Sequence, residues 1–289
     1  MRRKNSPFLI PLIVVAVITL ILTVILLIPD GGGEKTPEGK PPEKNDPVTE
    51  IKVPEVTFKS SLEEYEKYMN AKDEKYLVLV NKEHTVGVDF EPADRIDVKD
   101  TPKNGITLER TAAKALEAMF AEMRANGFNN VFVTSAYRSY DYQKDTYNGW
   151  VNYEMQSITS DARKVLGDGY IYEKYTSKGK SGLDRTDAER VADSYSARPG
   201  TSEHQTGLCV DLMTSTMSAL DESFADYPVY DWLLENAWKF GFVLRFPEDK
   251  TEITGYSFEP WHYRFVGREH AYKMYSRGVC LEEYVKSLK

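Results

Sequence analysis

Ser202-Glu203-His204-Gln205-Thr206-Gly207-Leu208-Cys209-Val210-Asp211 is the most informative segment of this chain, a polar loop that turns at Gly207 and runs on into an apolar strand. A glycine at the turn lets a loop residue, His204, and a strand residue, Asp211, approach one point from the same segment. The strand is expected over about Leu208 to Met213. Side chains alternate along a strand, so Cys209, Asp211 and Met213 point one way and Val210 and Leu212 the other. Cys209 therefore neighbours Asp211 without necessarily sharing its role.

On either side the patterns are mixed. Glu63 to Met69 reads as a short helix and Tyr76 to Val80 as a strand. Leu108 to Asn126 reads as an amphipathic helix with Ala112, Leu116, Met119 and Met123 near one face, stopped by Gly127. Asn130 to Ala136 alternates as a half-buried strand does and leads into Tyr137-Arg138. Helical spacing returns at about Tyr142 to Gln156, Asp187 to Tyr195 and Pro228 to Phe240, with a final helix expected near Glu269 to Tyr275. Further strands are expected at Phe242 to Arg245 and His262 to Val266. These elements follow no βαβ rhythm, so the expected class is α+β: a small, mostly antiparallel sheet flanked by helices, preceded by one transmembrane helix.

The transmembrane expectation comes from the N-terminus. Arg2, Arg3 and Lys4 precede an uncharged apolar run from Pro7 to Pro29, long enough for the roughly 20 residues a spanning helix needs. Positive charge before the run places residues 1–6 in the cytoplasm and the rest outside. A cleaved signal peptide has a shorter apolar region ending at small residues, and no Ala-x-Ala site occurs here. Residues 30–56, rich in Gly, Pro, Glu and Lys, read as a disordered tether. Residues 57–289 then form one extracytoplasmic domain, on a chain held at the cell membrane by a single pass.

Composition is that of a globular protein, with 41% hydrophobic and 28% charged residues. A net charge of -8 and a pI near 5.3 argue against a nucleic-acid partner. The two cysteines, Cys209 and Cys280, form no CxxC motif and no disulfide framework. Oligomeric state has no signal in the sequence.

Of the four histidines, His84 and His270 lie in surroundings that read as structural. His204 and His262 do not. A catalytic zinc takes three protein ligands from His, Asp or Glu and keeps one position for water. His204, Asp211 and His262 supply such a set. Glu259 precedes His262 in Glu259-Pro260-Trp261-His262, where Pro260 opposes a helix interior. Their side chains would converge through a turn before a strand, with Glu259 as general base. Taken singly, each piece has a plainer reading: a chance His-Asp spacing, or a Trp-His pair packed in a core. Their combination with a base in an exported chain favours a metal site.

Three blocks closely resemble the VanY-type D-alanyl-D-alanine carboxypeptidases, zinc cell-wall peptidases related to VanX dipeptidases and L,D-carboxypeptidases. They are Ser135-Ala136-Tyr137-Arg138-Ser139-Tyr140 with Gln143, then Ser196 through Asp211, and Glu259-Pro260-Trp261-His262-Tyr263-Arg264. The resemblance extends from about Tyr76 to the C-terminus. It implies zinc ligation by His204, Asp211 and His262, catalysis by Glu259 and Arg138, and substrate binding by Arg138, Gln143 and Ser202. By their own chemistry Ser202 and Gln143 are equally suited to a loop cap and a surface amide, and Arg138 to a surface salt bridge.

The implied activity is hydrolysis of the C-terminal D-alanine from peptidoglycan stem peptides, D,D or L,D. An endopeptidase of the same metal chemistry and a non-catalytic wall-binding module are the alternatives. Where the family commonly has Ala, this chain has Cys209. The stretch from Trp150 to Arg185 is longer than in compact relatives and reads as a groove wall or a surface excursion.

Overall fold

The computed structural model describes residues 51–289, so the expected cytoplasmic stub, transmembrane helix and most of the tether lie outside the described residues. Among the described residues no helix is long and apolar enough to cross a membrane. At their start, Val53 and Val56 pack against a C-terminal apolar cluster.

The fold is mixed α+β, with two small antiparallel sheets among helices. After a short helix, α1 (Glu66–Met69), a hairpin pairs β1 (Arg95–Asp97) with β2 (Thr107–Glu109). Helix α2 (Arg110–Ala125) follows at once, because the Glu109 carboxylate accepts from the backbone N–H groups of Thr111 and Ala112 and caps the orphan donors. The chain leaves α2 through Asn126 and Gly127, the latter at φ 94°.

The main sheet has the order β3-β4-β6-β5, built from β3 (Val131–Ser135), β4 (Cys209–Thr214), β5 (Phe242–Leu244) and β6 (His262–Phe265). Every pair is antiparallel. Val131 and Val133, Val210 and Leu212, and Tyr263 and Phe265 turn one face toward Leu116, Met119, Phe120 and Met123 of α2, all buried in one core. Each such large side chain contributes about 1.5–3 kcal/mol on burial. The alternate residues, Cys209, Asp211, His262 and Arg264, face away from that core, as the period of two requires. Register sets Asp211 opposite both His262 and Ser135.

A second layer begins at α3 (Tyr140–Gln156) and continues through α4 (Ser160–Leu166), α5 (Asp168–Lys174) and α6 (Arg185–Ala192). These helices enclose a cluster of their own, including Tyr147, Val151, Ile171, Tyr175 and Val191. Beneath it Asp187, 1% exposed, accepts from Tyr175 Oη at 2.7 Å and pairs with Lys174 at 2.7 Å and Arg190 at 3.1 Å. Gly182 is required where the chain crosses α3, since a Cβ there would collide with the Met155 carbonyl oxygen. The chain ends with α7 (Pro228–Asn236), the short α8 (Thr251–Thr254), α9 (Arg268–Arg277) and α10 (Leu281–Ser287).

Two expectations differ from the structure. Tyr76 to Val80 is not a strand: a 3-10 turn covers Glu74–Leu77, and the chain beyond it is irregular. The Tyr76 and Val78 carbonyls accept from Arg264 Nη2 at 3.0 and 2.8 Å, so a buried side chain takes the place of a strand ladder. The helix expected at Glu269 to Tyr275 is not the last element. After it the chain turns at Gly278 and forms α10, with the Cys280 backbone N–H donating to Glu283 at 3.0 Å.

Candidate active site

Four elements deliver the predicted residues to one cleft of about 730 Å³. His204 lies in a 3-10 turn over Glu203–Thr206 that ends at Gly207, whose φ of 64° is left-handed. The left-handed backbone favours glycine at that position, and a Cβ there would also meet Pro92 and the Glu109 nitrogen at a tight 3.1 and 3.2 Å. Asp211 comes from β4 and His262 from the first position of β6. Glu259 enters from the turn before β6, closed by the His262 N–H donating to the Glu259 carbonyl at 3.1 Å.

The nitrogens are assigned by their surroundings. His204 Nδ1 lies 2.6 Å from the Ala136 carbonyl oxygen, which can only accept, so Nδ1 carries a proton and Nε2 is the nitrogen left to meet a metal. That Nε2 stands 3.3 Å from Asp211 Oδ2. His262 turns Nδ1 toward Asp211 Oδ1 at 3.2 Å and Glu259 Oε2 at 3.3 Å. All four residues are buried, and Asp211 Oδ1 has no hydrogen-bond partner.

This donor set fits zinc. Two donors about 2.1 Å from a tetrahedral zinc stand about 3.4 Å apart, close to the 3.2 and 3.3 Å separations here. An unpartnered buried carboxylate oxygen, Asp211 Oδ1 beside the His262 imidazole, is costly unless a cation completes it. One donor atom each of His204, Cys209 and His262 also lie within 4.8 Å of one another.

The acids of the site are pushed in opposite directions. Burial opposes the Asp211 charge, yet His204, His262 and Arg138 hold its carboxyl well below the usual carboxylate range. Glu259 is raised by burial, against the opposing pull of His262. The first suits a permanently charged ligand, the second a group that takes and returns a proton. Burial and Arg138 depress His204, but Asp211 and Cys209 outweigh them and bring it up to about 9. For Cys209, burial raises the thiol while the two imidazoles lower it, to about 7.

Arg138 is not a surface salt bridge. Its Nε donates to Ser135 Oγ at 2.8 Å, Nη1 to Gln143 Oε1 at 3.4 Å and Nη2 to Asp211 Oδ2 at 2.7 Å. Gln143, 2% exposed, is likewise no surface amide, and its Nε2 donates to the Ala197 carbonyl at 2.7 Å. Ser202 stands at the cap position of the 3-10 turn, but its hydroxyl makes no cap bond and the residue lines the cleft. The helical layer forms one wall through Trp150, Tyr153, Glu154, Ser160, Asp161 and Lys164, so the long stretch is part of the groove.

Sequence reasoning missed the support beneath the site. Glu203 Oε1 accepts from Arg245 Nε at 2.8 Å and from Arg264 Nη1 at 2.6 Å, with both guanidiniums fully buried. Arg245 is also forked onto Glu282 at 2.6 and 2.8 Å. Burial alone would protonate Glu203, but the two arginines hold it well below the carboxylate range. Its position beside His204 was the available signal. The two cysteines are free and buried, and His84 and His270 bond to Asn81 and Tyr284 away from the site.

Comparison with known proteins places the chain in a family. The family model for VanY, D-alanyl-D-alanine carboxypeptidase, matches residues 105–268. A D-alanyl-D-alanine carboxypeptidase of Enterococcus faecalis is 34% identical over 213 residues, covering 74% of this chain and 66% of the relative. Among solved structures, a mutant of the D,D-pentapeptidase VanY from a VanB-type resistance cassette, in complex with Zn(II), matches at 34% identity and a TM-score of 0.53. That match covers 73% of this chain and 99% of the other. The LdcB LD-carboxypeptidase matches at 31% identity and a TM-score of 0.57, covering 74% and 87%. In family match, sequence identity and fold alike, this chain belongs to the VanY family of zinc-dependent D-alanyl-D-alanine carboxypeptidases.

Proposed function

We propose that this chain hydrolyses the C-terminal D-alanine from peptidoglycan stem peptides, D,D or L,D, using zinc held by His204, Asp211 and His262. The observation that carries the reading is the convergence of those three side chains with Glu259 and Arg138 in one cleft. When bound, zinc would supply Lewis-acid polarisation of the scissile carbonyl and activation of the attacking water.

The remaining chemistry belongs to the chain. Glu259 Oε2 takes a proton from the attacking water and returns it to the leaving amine, a task suited to a carboxyl raised by burial. Arg138 has five N–H groups, and three are committed to Ser135, Gln143 and Asp211. One N–H on each terminal nitrogen remains, a pair that matches the two oxygens of a substrate carboxylate. Gln143 holds the guanidinium and ties it to the Ala197 loop, and Ser202 offers its hydroxyl to the bound peptide.

The apolar run of residues 7–29 would anchor the chain in the cell membrane, with residues 30–56 as tether and residues 57–289 as the extracytoplasmic domain. Mass spectrometry of purified pentapeptide and tetrapeptide stems, with and without a zinc chelator, tests the activity. Loss of a single alanine that stops on chelation supports it. Release of a larger internal fragment would make the protein an endopeptidase, and intact stems would leave the proposal without an activity.

A further inference from the structure

The buried acid beneath the cleft has one oxygen without a task. Glu203 Oε1 takes both guanidiniums, Arg245 Nε at 2.8 Å and Arg264 Nη1 at 2.6 Å, and Oε2 is left buried with no hydrogen-bond partner. That oxygen lies 3.8 Å from His262 Nε2, which is also buried and unpartnered. We propose that Glu203 is the positioning residue of His262: its Oε2 accepts from Nε2–H and so keeps Nδ1, with its lone pair, for the metal. The inference rests on the reading of the cleft as a zinc site. Glu203 acts from behind the imidazole, so the place of the attacking water stays open.

The two histidines then follow one rule with opposite nitrogens. His204 is held at Nδ1 by the Ala136 carbonyl and offers Nε2. His262 is held at Nε2 and offers Nδ1, which already faces Asp211 Oδ1 at 3.2 Å. Packing fixes the plane of the His262 ring, since Phe246 and His204 meet it edge-on with centroids 4.9 and 5.1 Å away. Such contacts do not decide which ring nitrogen carries the proton. A carboxylate does, because it can only accept.

Charge keeps Glu203 in that state. Arg245 is itself forked onto Glu282, and Arg264 onto the Tyr76 and Val78 carbonyls, so the acid is clamped from three distant segments. Closing 3.8 Å to the roughly 2.8 Å of a charge-assisted hydrogen bond takes a shift of about 1 Å.

E203Q inverts the contact at constant shape. Arginine can only donate, so both guanidiniums take the amide oxygen and turn the amide N–H groups toward His262 Nε2. Nε2 is then asked to accept, and the proton is displaced to Nδ1, on the metal side. Zinc affinity of the full-length protein, measured by competition with a chelating dye, should fall about 10–100-fold. Long-range proton–nitrogen NMR of the histidine-labelled full-length protein in detergent reads the proton itself, with four histidines to assign. In the zinc-loaded wild type, His262 should show a protonless Nδ1 and an Nε2–H at low field, as a donor to a carboxylate; E203Q should shift that signal upfield or lose it. If E203Q does not fold, the wild-type spectrum decides. Zinc-loaded wild type with the His262 proton on Nδ1, or E203Q that keeps either the low-field Nε2–H or the wild-type affinity, overturns the positioning role and leaves the zinc reading standing. Wild-type protein that binds no zinc overturns both.

Discussion

Replacing Glu259 by Gln isolates the proton-transfer role, because the amide keeps the shape of the carboxyl and loses its basicity. In the structure Glu259 Oε2 stands 3.3 Å from His262 Nδ1, and the residue is 7% exposed. The substitution adds little volume change and leaves the His204, Asp211 and His262 donors in place. A general base contributes roughly 10²–10⁴-fold, which is about 2.7–5.4 kcal/mol at 1.36 kcal/mol per decade. E259Q should therefore hold zinc at wild-type stoichiometry by elemental analysis while D-alanine release falls by about that factor. The pH profile adds a second readout. Glu259 must be ionised to take a proton, and burial raises its pKa. Wild-type kcat/KM should thus be lost as pH falls through a value above the ordinary glutamate pKa of about 4.3. That acidic limb should vanish from the residual activity of E259Q. A variant that turns over within a few-fold of wild type, or that loses its zinc, refutes the assignment of Glu259 as base.

Four further outcomes follow from the same geometry. H262A removes a proposed ligand, so zinc content and hydrolysis should fall together; undiminished zinc by elemental analysis contradicts the ligand set. R138K keeps the charge but not the fork of donors, and kcat/KM on a stem peptide should drop on the order of 100-fold, whereas near-normal kinetics would remove Arg138 from the substrate. D187N leaves the buried Tyr175 hydroxyl and the Lys174 and Arg190 cations without their anion, costing about 1–3 kcal/mol in urea unfolding. Burial alone would raise the Asp187 pKa, but Lys174 and Tyr175 lower it to about 2, so its stabilisation is present above the unfolded value and lost as pH falls toward 2. D187N should flatten that acid dependence. Finally, the full-length chain should sediment with membranes and a chain begun at Ile51 should stay in the supernatant; equal partitioning would dispose of the anchor.

Much of the molecule was legible from local pattern. Period-two alternation put Val210 and Leu212 on one face of the strand and Cys209 and Asp211 on the other, and the structure makes the first face the core side. Apolar spacing outlined α2, and its stop at Gly127 has the backbone conformation that such an end requires. Gly207 and Pro260 marked the turns that bring His204 and Glu259 toward the strands. These features are written in neighbouring residues, because they depend only on which way consecutive side chains point and which dihedrals a residue tolerates.

Tertiary structure decided the rest. Only the fold shows that the Ala136 carbonyl takes His204 Nδ1 and frees Nε2, or that His262 presents Nδ1. Only the fold places Glu203 between Arg245 and Arg264, and lets Arg264 bind the Tyr76 and Val78 carbonyls so that no strand forms there. The end of α3 and helix α4 become a cleft wall rather than a surface excursion for the same reason. Each depends on hydrogen bonds or packing between residues far apart in the chain, where spacing carries no information and burial sets which partner a polar group must find.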